Sequence, residues 1–259
     1  MLGLPDSVTA CLFDLDGVLT PTAKVHDAAW TKTFDGFLRA RDGAGFIPFD
    51  PGKDYTSFVD GKPRADGVRD FLASRGVHLP EGDDADPTDQ PVDRTTVRGL
   101  GNRKNQVLLE VISRDGVEAY PGSRRYLDAA REAGLRRAVV SASANCRDVV
   151  ESAGLTDLLE VRVDGVTAKE RQLAGKPAPD GFLEAARELG VDAASAAVFE
   201  DALAGVAAGR AGAFGWVVGV DRLGGDHGQD LLDAGADTVV TDLDQLLDGA
   251  PAVSGVRPC

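Results

Sequence analysis

Two aspartates separated by a single residue close an apolar run in Phe13-Asp14-Leu15-Asp16-Gly17-Val18-Leu19-Thr20. Alternate positions at a strand end aim both carboxylates in roughly one direction, and Gly17 permits a tight turn directly after them. Such a pair can divide a reaction. One acid attacks phosphorus while the other manages the proton of an alcohol, and magnesium can bridge oxygen ligands and offset the charge. Alone, the motif also fits a turn that simply favours Asp and Gly. Three other places supply what the pair lacks. Val139-Val140-Ser141-Ala142-Ser143-Ala144-Asn145 ends in hydroxyls and exposed backbone amides just before a helix. It suits phosphoryl oxygens, or equally a helix cap. Lys176-Pro177-Ala178-Pro179-Asp180 holds a cation on a chain stiffened by prolines, useful for neutralising a nucleophile, although a lone lysine is also ordinary surface charge. Val198-Phe199-Glu200-Asp201 ends in two acids, fit to complete a magnesium shell or to begin a helix at its positive end.

Each of these motifs stands where a buried strand should end. Residues 8–13, 135–141, 196–199, 215–220 and 238–241 read as such strands, with helices over 123–133, 146–152, 180–189 and 202–211 between them. The alternation predicts an α/β protein: a doubly wound, Rossmann-like parallel-sheet core whose ligands gather beyond the carboxyl ends of the strands. Residues 22–115 interrupt it with helix and loop signals, expected helices being 22–41, 67–74 and 102–113. Turns fall at Asp42-Gly43, Pro51-Gly52 and Gly61-Lys62-Pro63. The expected organisation is a core of residues 1–21 and 116–259 with an inserted, mainly helical cap of residues 22–115. Residues 81–93, rich in acids and prolines, read as an exposed loop, and the tail after Gly249 as loosely held.

The remaining 259-residue composition restricts the partners. With 42 acidic against 28 basic residues the formal charge is −14, which opposes nonspecific attraction to nucleic acid or an anionic membrane. A phosphate ester reaching such a surface needs cations gathered locally, from lysine, arginine or a metal. The start of the chain lacks a basic, apolar leader and no stretch approaches the ~20 apolar residues that span a bilayer, so a cytoplasmic location and no membrane partner are expected. Cys11, Cys146 and Cys259 are odd in number and widely spaced, a pattern of reduced thiols.

Asp-x-Asp-Gly, a Ser-containing strand end, Lys-Pro and Glu-Asp, in that order along most of the chain, resemble the haloacid dehalogenase superfamily. The resemblance implies that Asp14 is the nucleophile and Asp16 the general acid and base. It makes Ser141 a phosphate ligand with Ala142 in the same loop, and Lys176 the charge neutraliser. Glu200 and Asp201 are acids of a magnesium site that also takes Asp14 and the backbone carbonyl of Asp16. A cap inserted directly after the first motif matches as well.

Within that superfamily, Asp14 to Thr20 followed by Thr22-Ala23, His26 and Trp30, and later by Ser141 to Asn145 and Lys176 to Asp180, is similar to the β-phosphoglucomutases. That likeness implies His26 and Trp30 at the active-site cleft, Arg64 as a cap ligand for the distal phosphate, Lys104 as a second cap cation and Asn145 on the core phosphate. A mutase needs a second anionic pocket remote from its nucleophile, which a forked guanidinium suits. Lys62 and Arg69 compete with Arg64 for that role, and Arg98 and Arg103 with Lys104. Pro21, Ala144 and Ala202 depart from the family pattern, Ala144 standing where a lysine is common. The implied activity interconverts β-glucose 1-phosphate and glucose 6-phosphate through an aspartyl-phosphate, with Mg2+ and glucose 1,6-bisphosphate as cofactors. A small-molecule sugar phosphate is then the partner and a monomer the expected state. The competing readings are a sugar-phosphate phosphatase on the same core and a silent phosphometabolite-binding module.

Overall fold

The computed structural model describes residues 2–248 and 253–254. The expected loose tail after Gly249 falls almost wholly outside the described residues, as does Cys259. The chain forms two compact units, one of Met1–Pro21 with Val117–Cys259 and one of Thr22–Gly116.

In the first unit, strands β1 (Ala10–Phe13), β2 (Arg136–Val140), β3 (Val161–Val163), β4 (Ala196–Glu200), β5 (Trp216–Val220), β6 (Thr238–Val240) and β7 (Val253–Ser254) make one sheet of order β3-β2-β1-β4-β5-β6-β7. All neighbours are parallel except β7, which runs antiparallel on β6. Strand order reverses at β1, which pairs with β2 on one side and β4 on the other, so the crevice for a ligand opens beyond Phe13. Every residue of β1 and β4 is buried, because helices cover both faces of a parallel sheet; this is why those strands read as unbroken apolar runs. The expected sheet is therefore present, with two strands the sequence did not announce. β3 is three residues long, carries Arg162 in the middle and is only partly buried, while β7 has two residues.

On one face, helix α7 (Asp180–Leu189) buries Phe182, Ala185, Ala186 and Leu189, the i, i+3, i+4, i+7 stripe of an amphipathic helix. These residues join Leu12, Ala138, Val140 and Val198 in one core. On the other face Phe13 stacks on Phe199 with ring centroids 4.5 Å apart, and Tyr126 of α4 (Pro121–Glu132) packs edge-on to Phe13 at 6.2 Å. The remaining helices of this unit are α5 (Cys146–Ser152), α6 (Gly165–Arg171), α8 (Leu203–Ala211), α9 (His227–Asp233) and α10 (Gln245–Asp248). Cys11 and Cys146 are buried and unbridged, and burial pushes the Cys11 thiol up to about 12; neither is a reactive thiolate.

The second unit is helical: α1 (Ala23–Asp42), α2 (Arg64–Ser74) and α3 (Val97–Asp115), with a short π-helical segment at Tyr55–Val59. Its core is aromatic, Phe34 lying 4.9 Å from Trp30, 4.2 Å from Phe71 and 5.3 Å from Phe49 between ring centroids. Helix α3 starts five residues earlier than its apolar spacing suggests. Thr96 supplies the reason, accepting the Gly99 N–H at 2.9 Å as an N-cap through two glycines that hide the helix in the sequence. The acidic stretch 81–93 is tied down rather than free. Arg69 and Arg98 pair with Glu81, Arg98 also with Asp84, and the Asn102 amide donates to the carbonyls of Asp84 and Asp86.

Asp27 of α1 is half-buried, and its Oδ1 has no hydrogen-bond partner among the described residues. Burial first, and then the neighbouring Asp50, push its carboxyl from 3.8 up to about 6. The folded chain thus holds this proton more tightly than the unfolded one. The contribution to stability is complete below pH 3.8 and is lost as the pH rises through about 6. Solvent screening keeps the effect near ~1 kcal/mol. Asp27→Asn is expected to raise the Tm at pH 7 by about 2–4 °C, with the gain shrinking toward pH 4 in parallel thermal melts.

Candidate active site

The first aspartate is set by the sheet itself. Asp14 follows the last residue of β1, its N–H donates to the Phe199 carbonyl at 2.9 Å, and its side chain is almost wholly buried. The Lys176 ammonium reaches the same place from the other side of the crevice and donates to Asp14 Oδ1 and to Glu200 Oε1. Glu200, last in β4, is completely buried, and its second oxygen accepts the Ala202 N–H at 2.9 Å. One lysine therefore serves two buried acids. Burial, with Glu200 and Asp16 adding to it against the pull of Lys176, holds the Asp14 carboxyl well above the usual carboxylate range. The two acids outweigh the burial of Lys176 and keep its ammonium protonated beyond the ordinary lysine range.

Two glycines make this crowding possible. A Cβ on Gly17, which has φ +89°, would stand 1.7 Å from Asp201 Oδ2, and one on Gly205 of α8 would stand 1.8 Å from Glu200 Oε1. Without side chains there, Asp14, Glu200 and Asp201 each offer an oxygen within 4.8 Å of the others. Three carboxylates around one point, with a single lysine between two of them, leave negative charge in excess. Such a hard oxygen set, already short of positive charge at Asp14, fits a magnesium ion. The Asp16 side chain points elsewhere, its Oδ2 accepting the Ser141 hydroxyl at 3.5 Å. Ser141 also accepts the Ser143 N–H at 3.1 Å, and Ser143 the Asn145 N–H at 3.2 Å, so the loop between β2 and α5 is folded on its own hydroxyls. Ala142 and Asn145, the latter at the N-cap of α5, belong to this same loop. Asp14, Asp16, Ser141, Lys176, Glu200 and Asp201 thus converge at one end of the sheet.

In the second unit three other expected residues meet. The Lys104 ammonium is buried, 3.1 Å from His26 Nδ1 and 4.9 Å from the centre of the Trp30 ring. An ammonium only donates, so His26 Nδ1 is the acceptor in this pair and the ring proton sits on Nε2. Trp30 is itself core, packed on Phe34, and acts on its surroundings through Lys104. Arg103, beside Lys104 in sequence, is exposed. Arg64 is half-buried at the start of α2 and makes no ion pair or hydrogen bond among the described residues. Burial, and after it the Arg98 guanidinium, lower its affinity for the proton against the pull of Asp84. Its rivals are occupied, Lys62 by Asp70 at 2.7 Å and Arg69 by Asp66 and Glu81, and so is Arg98, the rival of Lys104, by Glu81 and Asp84. Sequence reasoning passed over two residues near the acid cluster, Arg222 and His227, which belong to no motif.

Residues 8–212 match the haloacid dehalogenase-like hydrolases, a span holding every acid and cation of the sheet-end cluster. The chain belongs to this family. As a haloacid dehalogenase-like protein it is a phosphoryl-transfer enzyme acting on a small molecule, and the family implies a divalent metal, typically Mg2+, where the acid cluster stands. It is 55% identical to the β-phosphoglucomutase of Mycobacterium tuberculosis (strain CDC 1551 / Oshkosh) over 251 residues, 95% of this chain and 94% of that one. A β-phosphoglucomutase of Bacillus subtilis (strain 168) is 29% identical over 231 residues, 89% of this chain and 88% of that one. Among solved structures, the β-phosphoglucomutase of Clostridium difficile superposes with a TM-score of 0.69 at 26% identity, covering 92% and 93% of the two chains. No helix of the described residues is long and apolar enough to cross a membrane.

Proposed function

We propose that the chain is a β-phosphoglucomutase, interconverting β-glucose 1-phosphate and glucose 6-phosphate through a phosphorylated Asp14 and glucose 1,6-bisphosphate. The observation that carries this reading is the identity with the mycobacterial β-phosphoglucomutase along nearly the whole of both chains. The phosphoryl group on Asp14 passes to a sugar hydroxyl; the new P–O bond forms as the acyl-phosphate P–O bond breaks, and Asp16 takes the hydroxyl proton. The bisphosphate then presents its other phosphate to the freed Asp14 carboxylate, and Asp16 returns the proton to the leaving oxygen. Lys176 offsets charge on Asp14 and the transferring group, while Ser141 and the loop of Ala142 and Asn145 hold phosphoryl oxygens. Asp14, the Asp16 carbonyl, Glu200 and Asp201 would hold a magnesium ion, which would supply the positive charge that lets an anionic nucleophile and phosphate approach. The reading includes a cytoplasmic monomer, copies of which repel one another at a net charge of −14.

Arg64 is the residue we assign to the phosphate remote from Asp14, with Lys104 and the Nε2–H of His26 as further donors to the sugar phosphate. Arg64 is supported by what its surroundings lack. A half-buried guanidinium at the positive end of a helix, close to another guanidinium, is costly until an anion arrives. Arg64→Ala should therefore leave the Tm unchanged or slightly raised. It should lower kcat/KM for β-glucose 1-phosphate by about 10- to 100-fold, the worth of a charged hydrogen bond. Hydrolysis of acetyl phosphate, which has no distal phosphate, should be unaffected; equal loss on both substrates counts against the assignment.

The reading as a whole is tested by products. Incubated with magnesium, β-glucose 1-phosphate and a trace of glucose 1,6-bisphosphate, the protein should yield glucose 6-phosphate. Stoichiometric inorganic phosphate instead would make it a sugar-phosphate phosphatase.

A further inference from the structure

One loop touches both arms of the acid cluster. Between β5 and α9, Asp221 Oδ1 accepts the N–H groups of Leu223 and Gly224 at 3.0 and 2.7 Å, which fixes the loop on itself. From it Arg222 reaches the first motif, its Nε donating to the Gly17 carbonyl at 3.0 Å and Nη2 making a long contact of 3.5 Å with the Val18 carbonyl. Its remaining contacts hold the guanidinium in this position. Nη1 donates to the Thr241 carbonyl at 2.7 Å and to Asp242 Oδ2 at 2.8 Å, and the plane stacks on Tyr120 at 3.8 Å. Five residues further on, His227 Nε2 lies 2.9 Å from the Asp201 carbonyl. A carbonyl only accepts, so the ring donates and its proton is on Nε2.

Beyond the last backbone bond between β1 and β4, from the Asp14 N–H to the Phe199 carbonyl, the two arms meet where the Asp201 carboxylate occupies the space a Gly17 side chain would need. We propose that residues 221–227, the loop between β5 and α9 with the first residue of α9, form a two-point clamp, in which Arg222 and His227 are positioning residues. They fix the spacing between the arm carrying Asp14 and Asp16 and the arm carrying Glu200 and Asp201, and so the geometry in which those acids take a divalent cation. Ligating carboxylates brought together by separate loops spread under their own repulsion, and outer partners that hold their backbones resist this. The inference depends on the acid cluster as a metal site and is independent of which sugar is transferred.

Direct Mn2+ titration followed by the electron paramagnetic resonance of the free ion reads the clamp without turnover. Arg222→Ala and His227→Phe should each raise the Mn2+ dissociation constant by about 10- to 100-fold, the usual loss when an outer-shell partner goes. His227→Gln, which keeps a side-chain N–H donor, should recover most of the affinity, and guanidinium ion should partly restore Arg222→Ala. In steady-state assays kcat should fall while KM for the sugar phosphate stays. Mn2+ affinities within about twofold of wild type in both variants overturn the clamp, as does equal weakening by His227→Phe and His227→Gln. If Arg222→Ala does not fold, the comparison of the two His227 variants decides, since both replacements fill the ring's space. A wild-type protein that binds no Mn2+ overturns the metal site, and the clamp with it.

Discussion

Replacing Asp14 by Asn is expected to lower kcat by at least about 10⁴-fold while leaving the protein as stable as before or more so. The activity loss follows from nucleophilic catalysis: an amide of the same shape cannot take up the phosphoryl group, and removing a covalent catalyst costs more than any positioning change. The stability expectation follows from the site. Asp14 is buried beside Glu200 and Asp16, and these surroundings favour its uncharged form. Asn supplies an uncharged group of the same size, and Lys176 keeps its bond to Glu200. Wild-type protein mixed with glucose 1,6-bisphosphate should carry a hydroxylamine-labile phosphoryl group that the variant lacks. A variant that retains turnover would remove Asp14 from the mechanism.

Lys176→Met should have the largest effect on stability. Lys176 donates to Asp14 and Glu200 at once, and breaking a buried ion pair from one side costs about 3–5 kcal/mol because a charge is left uncompensated. The loss carries a pH signature. Without the ammonium Asp14 resists ionisation further, so its folded proton affinity exceeds the unfolded one by more than in wild type. Acids of this kind add stability below the unfolded carboxylate range and lose it as the pH rises through the folded value. The Tm deficit of Lys176→Met should therefore be largest at neutral pH and shrink as the pH is lowered toward 4. For wild type the lysine contribution has the same sign in a higher pH window: its affinity is raised, so it is present below the unfolded value of 10.5 and fades only above it. A deficit that is flat between pH 4 and 7 would show that Met fails through packing against Phe182, whose ring lies 5.1 Å from the ammonium, and not through charge.

The sequence by itself determined the sheet-end chemistry, because there the cause is local. A parallel strand buried on both faces must be an apolar run, and acids or hydroxyls that follow one must lie at its carboxyl end. Thus Asp14, Ser141 and the Glu200-Asp201 pair could be placed without knowing any contact, and α5 and α7 have the bounds that their apolar spacing sets. Where strands were too short to show a run, as β3 and β7, the sequence was silent, and α3 was cut short because its capped start contains Gly99 and Gly101.

Only the tertiary structure decided between residues of like charge. Lys62, Arg64, Arg69 and Arg98 are equivalent as letters; distance separates the three with carboxylate partners from Arg64, which has none among the described residues. Lys104 and Arg103 are neighbours in the chain, and the helical turn between them buries one and exposes the other. Arg222 and His227 carry no motif, since they act on backbone carbonyls that every residue possesses, 205 and 26 positions away. A pattern of side chains can record which groups react, but the pairing of a cation with an acid, or of a donor with a carbonyl, depends on separations that only the folded chain sets.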